Sequence, residues 1–287
     1  MLVSDIHVFL DYKVSSQSEF FLNMLVSERN QLVLQEQLNI DHTPESGQAQ
    51  PLRYRLSKDA MRNRLAAFSA APGLVRINYK ARTVINNESR PSQAPLQEIS
   101  DLPAKVIAAI KPSRYCESDL MSQQAQELFS RQGDGIAMVE SIIDWIQDNI
   151  EYQTGSSDST TSAWDVFESR KGVCRDFAHL AITFCRALNI PARFCVGYIY
   201  FDEPPQDFHA LFEAYLDGRW IKFDPTRMAP PDNLVVIANG MDAKDTPFAS
   251  IFGAIETTRM RINIEQFDPL SDYRRKAGDE QKAIIGE

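Results

Sequence analysis

A seven-residue segment, residues 172–178, constrains the fold of this chain more than any other stretch. Its sequence is Gly-Val-Cys-Arg-Asp-Phe-Ala. The residues that follow, 176–188, have apolar side chains at helical spacing, so Cys174 is predicted to lie on the first turn of a helix. The unpaired N–H groups and the positive end of the helix dipole at that position favour a thiolate over a thiol. The segment therefore predicts a nucleophile that needs a base nearby.

A candidate base begins a stretch that predicts a β-hairpin. The chain has four histidines, and His209 opens residues 209–224, whose apolar residues alternate on both sides of Asp217 and Gly218. That dipeptide is typical of two-residue hairpin turns. Because side chains alternate between sheet faces, His209 and Asp224 are predicted to share a face, about 7 Å apart at the backbone. An imidazole–carboxylate hydrogen bond is within reach, whereas a one-residue slip would separate the two side chains.

The two faces of this hairpin differ in composition. On the face that carries His209, Glu213 lies opposite Lys222, and this pair of opposite charges supports the predicted register. The other face is apolar and is predicted to face the core. Its residues are Ala210, Phe212, Ala214, Ile221 and Phe223.

Four linked motifs resemble those of the bacterial transglutaminase-like superfamily. The resemblance covers about residues 100–230 and has the order Cys, His, Asp along the chain. As a set the motifs are specific, whereas any one of them alone would be weak. They are Gly-Val-Cys-Arg-Asp-Phe-Ala-His-Leu at 172–180, Asn-Ile-Pro-Ala-Arg at 189–193 with Gly-Tyr at 197–198, His-Ala at 209–210, and Asp-Pro-Thr at 224–226.

In that family the cysteine is the nucleophile, the histidine is the base, and the aspartate orients the histidine. The resemblance therefore implies catalytic roles for Cys174, His209 and Asp224. It also implies a papain-like core, in which the helix bearing the cysteine packs on an antiparallel sheet bearing the histidine and the aspartate. Leu211 departs from the family pattern, which often has tryptophan after His-Ala. This departure bears on local packing or substrate contact and leaves the triad intact.

The chain is predicted to be an α+β protein with two domains. Residues 1–95 contain several short strand patterns separated by polar turns, which are typical of an antiparallel sandwich or small barrel. The polar segment 86–95 contains two prolines and is predicted to be a linker. We therefore predict an N-terminal β-sandwich-like domain at 1–95 and a transglutaminase-like catalytic domain at 96–287. The predicted N-terminal domain resembles the β-domains that accompany the catalytic domain in bacterial relatives.

One segment in each half has a strong pattern. Residues 5–14 alternate, with Ile6, Val8 and Leu10 on one face, and predict a strand. Residues 134–150 have apolar side chains at helical spacing and predict an amphipathic helix.

The composition limits the class of protein. A chain of 287 residues can bury a full core, and 44% hydrophobic with 24% charged residues is typical of a soluble globular protein. A net charge of −9 disfavours nonspecific binding to nucleic acid or to anionic membranes. The sequence has no apolar run of membrane-spanning length, and its first residues lack the features of a signal peptide. The expected location is the cytoplasm, where thiols stay reduced.

The remaining cysteines and histidines are given structural interpretations. The four cysteines include no Cys-x-x-Cys pair, so we predict neither a metal site nor a cofactor. Cys185 and Cys195 lie in apolar stretches and are interpreted as small hydrophobic residues. His179 would point away from Cys174 and is interpreted as structural. The role of Cys116 is left open, because its loop could pack near the site.

The predicted reaction is acyl transfer through a thioester. The Cys174 thiolate would attack a peptide or glutamine-like amide, and the backbone N–H of Cys174 would be the first oxyanion donor. Gln147, Tyr152 and Trp164 are the candidates for the second donor. Hydrolysis is favoured over transamidation, because water is always present and the sequence has no evident amine site. The expected partner is a peptide or protein amide substrate.

Two other classes of function stay open at this point. The fold could be a noncatalytic binding scaffold, although an intact Cys174, His209 and Asp224 argues against this. A thiol-based redox or metal protein is disfavoured by the lack of a Cys-x-x-Cys pair. Substrate identity and oligomeric state are left open.

Overall fold

A strand-rich first third of the chain is followed by helices and further strands. The computed structural model describes residues 1–85, 90–129, 133–203 and 205–269. In chain order the elements are β1 Leu2–Val14, β2 Ser18–Leu22, β3 Leu32–Pro44, β4 Gln50–Pro51, β5 Arg55–Lys58, β6 Arg64–Ala70, β7 Gly73–Ile85, α1 Ser122–Leu128, α2 Gly135–Asn149, β8 Glu151–Tyr152, α3 Ala163–Ser169, β9 Lys171–Gly172, α4 Cys174–Ala187, β10 Ala192–Tyr198, β11 His209–Leu216, β12 Arg219–Phe223, β13 Val235–Gly240, β14 Ala249–Phe252 and β15 Ile255–Phe267.

Two antiparallel sheets form the N-terminal sandwich. One has the strand order β15-β1-β7-β3-β4, and the other has the order β14-β2-β6-β5. Their buried faces share one hydrophobic core, to which β1 contributes Ile6, Val8 and Leu10. The side chains between these three residues are only partly buried, which is the period-2 pattern of a strand with one core face. The predicted β-sandwich-like architecture and the predicted strand at 5–14 are therefore confirmed.

The last two described strands return to this sandwich. β14 pairs with β2, and β15 pairs with β1 from Val3↔Phe267 to Val14↔Ile255. Residues 249–267, which we assigned by sequence to the catalytic domain, are thus hydrogen bonded to N-terminal strands. Alternation along a strand predicts its faces but not its partner, which is why the sequence missed this pairing. The division at residues 95 and 96 stays a prediction, and residues 86–89 and 270–287 lie outside the described residues.

A second core surrounds α4 and the sheet with strand order β12-β11-β10-β13. α4 lies against β10 and β11 on one side and against α1, α2 and α3 on the other. The helix is therefore buried on nearly all sides beyond its first turn. α2 starts at the predicted place, because the Asp134 carboxylate accepts hydrogen bonds from the N–H groups of Ile136 and Ala137. A helix bearing the cysteine does pack on an antiparallel sheet, as the family resemblance implies.

The β11–β12 hairpin has the predicted register. Glu213 lies opposite Lys222, and Leu216 lies opposite Arg219. The two turn residues have positive φ angles, 47° at Asp217 and 77° at Gly218, as the twist-compatible two-residue turn requires.

Both faces of β11 are buried, although the sequence predicted only one core face. The N-terminal sandwich packs against this sheet, and the Tyr198 hydroxyl donates to the Met24 carbonyl at 2.7 Å. Glu213 forms its ion pair with Arg193 on β10, at 2.6 Å. Leu211, at the position where the family often has tryptophan, is fully buried in a small cluster with Cys195 and its apolar neighbours. Leu211 therefore has a packing role.

No helix in the described part of the chain combines the length and apolar character needed to cross a bilayer.

Candidate active site

Cys174 is the first residue of α4 and is half-buried. The preceding residue, Val173, donates its N–H to Asp176 Oδ2 at 2.9 Å, which closes the first turn. Arg175 in turn forms an ion pair with Asp176 at 2.9 Å. Asp176 and Arg175 therefore stabilise the start of the helix. They fix the backbone on both sides of the sulfur.

The short parallel pair of β8 and β9 positions a neighbour of the sulfur. Tyr152 lies opposite Gly172, two residues before Cys174. The backbone N–H and the side chain of Cys174 both lie near enough to the Tyr152 hydroxyl to affect its pKa. Burial, followed by the charge of Cys174, raises the pKa of Tyr152 to about 12. The phenol therefore keeps its proton at neutral pH.

Gln147 and Trp164, the other two candidates for the second oxyanion donor, have different contacts. Gln147 donates its side-chain N–H to the Pro225 carbonyl. Trp164 packs against the core around α4 and lies near the Phe167 ring. The structure therefore brings Tyr152 to the sulfur and gives the other two side chains structural partners.

His209 and Asp224 meet across the hairpin as predicted. His209 Nε2 lies 3.0 Å from Asp224 Oδ2, and both residues are buried. The other carboxylate oxygen, Oδ1, accepts hydrogen bonds from the Thr226 N–H at 2.9 Å and the Thr226 hydroxyl at 2.7 Å. The carboxylate is thus held in place from its second side.

Thr226 is a positioning residue that sequence reasoning did not single out. It belongs to the Asp-Pro-Thr motif. In a common turn, an Asp side chain such as that of Asp224 accepts a hydrogen bond from the N–H two residues later, here that of Thr226. The spacing alone could have indicated it.

The electrostatics of this pair favour the charged forms. Burial by itself would lower the pKa of His209, but hydrogen bonds to Asp224 and Cys174, together with their charges, raise it to about 10. Burial would raise the pKa of Asp224, but the hydrogen bonds and charge of His209 and the hydrogen bonds from Thr226 lower it. The sulfur, the imidazole and the carboxylate are therefore in one interacting group, with His209 between the other two.

The remaining cysteines are unlike Cys174. Cys116, Cys185 and Cys195 are all buried. Burial raises the pKa of Cys116 and of Cys195 to about 12, and it raises the pKa of Cys185 further. Cys116, which the sequence left open, packs against the middle of α4, with its sulfur 3.6 Å from the carbonyl of His179. These three side chains are apolar thiols in the core.

His179 is structural, as predicted. It is fully buried, and its Nε2 accepts the backbone N–H of Ala243 at 3.1 Å. Burial is the largest cause that lowers the pKa of His179 to about 3, so the ring is neutral. Among the described residues, no group of three His, Cys, Asp or Glu side chains is suited to a metal ion.

Comparisons with known proteins agree with this geometry. Residues 122–225 match the family model of the transglutaminase-like superfamily. A solved structure from Cytophaga hutchinsonii, called a "putative cysteine protease", is 36% identical and superposes with a TM-score of 0.83. The match covers 93% of this chain and 91% of that one. The chain belongs to the transglutaminase-like superfamily.

More distant relatives match only in part. An uncharacterized protein of Mycobacterium leprae is 27% identical over 133 residues, which are 42% of this chain and 46% of that protein. An uncharacterized protein of Mycobacterium bovis is 27% identical over 144 residues, 45% of this chain and 46% of that protein. The chain therefore spans about half the length of these relatives.

Alkylation tests the special environment of Cys174. At mildly acidic pH, Cys174 should react with iodoacetamide much faster than the other three cysteines, because they are buried and protonated. His209→Ala should slow the reaction of Cys174 itself, since it removes the charge that favours a thiolate. Mass spectrometry of labelled peptides over time gives the four rates. His7→Ala, in the N-terminal sheet, is the matched control and should leave the rate unchanged. Similar rates at all four cysteines would contradict the account.

Proposed function

We propose that this chain is a thiol-dependent amidase or protease that hydrolyses a peptide or glutamine-like amide through a thioester. The observation that carries the proposal is the buried His209–Asp224 hydrogen bond, with Cys174 interacting with the same imidazole. A sulfur at a helix start, paired to an oriented imidazole, is the arrangement expected of an activated nucleophile. The family membership supports acyl transfer of this general kind.

In the resting state the proposal has a thiolate beside an imidazolium. With the pKa of His209 raised to about 10, the ring is positively charged at neutral pH. Its charge and the N-terminus of α4 both stabilise a negative sulfur. Because Nε2 is bonded to Asp224, Nδ1 is the nitrogen left for proton transfer.

Acylation then proceeds in two steps, attack by the sulfur and departure of the amine. The Cys174 sulfur forms a bond to the amide carbon, and the carbonyl electrons move to oxygen. When the carbonyl re-forms, the C–N bond breaks and His209 gives its proton to the leaving amine. The products of this half are a thioester and a neutral imidazole.

Deacylation reverses the proton flow. Neutral His209 takes a proton from water as the water oxygen attacks the thioester carbon. The C–S bond breaks, the acid is released, and the thiolate and imidazolium are restored. Asp224 keeps the ring oriented and stabilises its positive charge in both halves.

The oxyanion would be bound by two donors in this proposal. One is the backbone N–H of Cys174, and the other is the hydroxyl of Tyr152. In the free chain these two groups are close enough for the Cys174 N–H to lower the pKa of the Tyr152 hydroxyl. A substrate oxyanion would enter between them and accept from both, and Tyr152 can donate because its phenol is protonated.

The reaction outcome, the substrate class and the location are proposed as the sequence predicts them. Hydrolysis is preferred over transamidation, and a noncatalytic scaffold is the alternative. The substrate would be a peptide or protein amide, with no role for nucleic acid or a membrane. Cytoplasmic location stays a prediction.

Activity profiling tests the proposal directly. The full chain would be incubated with a panel of peptides and glutamine-containing peptides, and products would be followed by mass spectrometry. Wild type should release acid products from a subset, and Cys174→Ala should abolish the release. Turnover that survives in Cys174→Ala would overturn the thiol mechanism. A folded wild type that is inactive on the whole panel, with and without added amine, would favour the scaffold.

Tyr152→Phe tests the second oxyanion donor. Loss of one such donor typically lowers kcat by about 100-fold to 1,000-fold, so the variant should show a fall of that order with little change in KM. Steady-state kinetics on an active peptide give both constants. Tyr54→Phe, in the N-terminal sandwich, is the control and should match wild type. An unchanged kcat in Tyr152→Phe would remove Tyr152 from the mechanism.

A further inference from the structure

The segment between β10 and β11 carries a carboxylate next to the catalytic histidine. Asp207 lies two residues before His209, so their Cα atoms are at most about 7 Å apart. The Asp207 carboxylate accepts the Phe208 N–H at 2.7 Å. Its charge is among the causes that raise the pKa of Tyr152. Asp207 is therefore within electrostatic reach of the hydroxyl that contacts the Cys174 sulfur.

Asp207 differs from the other acidic side chains of the site because it has no cationic partner among the described residues. Asp176 is paired with Arg175, and Asp224 is bonded to His209. Asp207 is exposed, and neighbouring atoms still raise the pKa of its carboxyl by removing water from it. A cation from outside the chain could reach this carboxylate and would stabilise its negative charge.

The position of Asp207 indicates which half of a substrate it would meet. In the proposed reaction His209 gives its proton to the leaving amine, so the leaving half of the substrate lies at His209. Asp207 lies two residues before His209 on the chain, and its charge acts on Tyr152 beside Cys174. A side chain that follows the scissile amide is therefore the part of a substrate nearest to Asp207.

We propose that Asp207 is a specificity residue that binds a positively charged side chain immediately after the scissile amide. The inference rests on the proposed hydrolysis and names its substrate class: amides whose leaving half begins with a basic residue. Lysine ammonium and arginine guanidinium are both chemically suited to the carboxylate.

A matched pair of peptides tests this specificity. The two peptides would differ only in lysine or acetyl-lysine directly after the scissile bond, since acetylation removes the charge and keeps the chain length. Wild type should prefer lysine by about tenfold in kcat/KM, as expected for one hydrogen bond between charged groups. Asp207→Asn should remove the preference, and its side chain can still accept the Phe208 N–H. Equal rates for the two peptides in wild type, or a preference that survives in Asp207→Asn, would overturn the inference.

Asp202→Asn is the control for charge in the same loop. Asp202 is exposed, and its carboxylate accepts the Tyr200 hydroxyl at 2.8 Å. The lysine preference should persist in this variant. If the lysine preference is lost in Asp202→Asn as fully as in Asp207→Asn, it comes from the summed negative charge of the loop. That result would overturn the assignment to Asp207.

A second readout separates this inference from the proposed function, because it needs no turnover. Cys174 would be modified by two methanethiosulfonates, one with a trimethylammonium group and one with a sulfonate group. In both cases the sulfur forms a disulfide and methanesulfinate leaves. The ratio of the cationic rate to the anionic rate should fall about tenfold in Asp207→Asn and stay unchanged in Asp202→Asn. An unchanged ratio in Asp207→Asn would overturn the role of Asp207 even if peptides are hydrolysed. A fall in the ratio without any peptide hydrolysis would instead support Asp207 and contradict the proposed function.

Discussion

The hydrogen bond between His209 and Asp224 depends on the register of one β-hairpin. A two-residue turn with two positive φ angles sets which residues are opposite each other, and this places both side chains on one face. A slip of one residue would turn one of them to the other face and separate them. The rest of the site is built around this pair. Thr226 fixes the carboxylate, and α4 brings the sulfur to the imidazole.

Because the His209–Asp224 pair is buried, its stability is sensitive to the loss of either side chain. The sheet that carries His209 is covered by α4 on one side and by the N-terminal sandwich on the other. A charge in such a place is costly unless it has a partner, so removing one partner leaves the other unstable. The pKa of His209 is raised from 6.5 to about 10 in the folded chain. The proton on His209 therefore stabilises the fold fully below about pH 6.5, and this stabilisation is lost as the pH rises through about 10.

Sequence patterns predicted the elements whose formation depends on interactions between neighbouring residues. The hairpin, α2 and the start of α4 each depend on residues close together along the chain, and each was found at the predicted place. The triad candidates also needed the family resemblance, because Cys174 is far from the hairpin in sequence. The structure then brought all three candidates together.

Contacts between distant segments were not predictable in this way. The pairing of β15 with β1, and of Glu213 with Arg193, depends on which strands become neighbours, and alternation does not specify this. The selection of Tyr152 from three candidate oxyanion donors depended on the two-residue strand β8, which is too short to give a sequence pattern. The second buried face of β11 follows from the docking of the sandwich.

The protonation state of His209 is the most direct measure of the interaction between Cys174, His209 and Asp224. Nitrogen-15 NMR of the histidine side chains, recorded from pH 5 to pH 11, reports whether each ring carries one proton or two. We expect His209 to remain an imidazolium at neutral pH and to titrate near pH 10, with a lower midpoint in Asp224→Asn because an accepting carboxylate is lost. A neutral His209 at pH 7, or a midpoint at or below the ordinary value of 6.5, would show that Asp224 and Cys174 do not hold a charged imidazole.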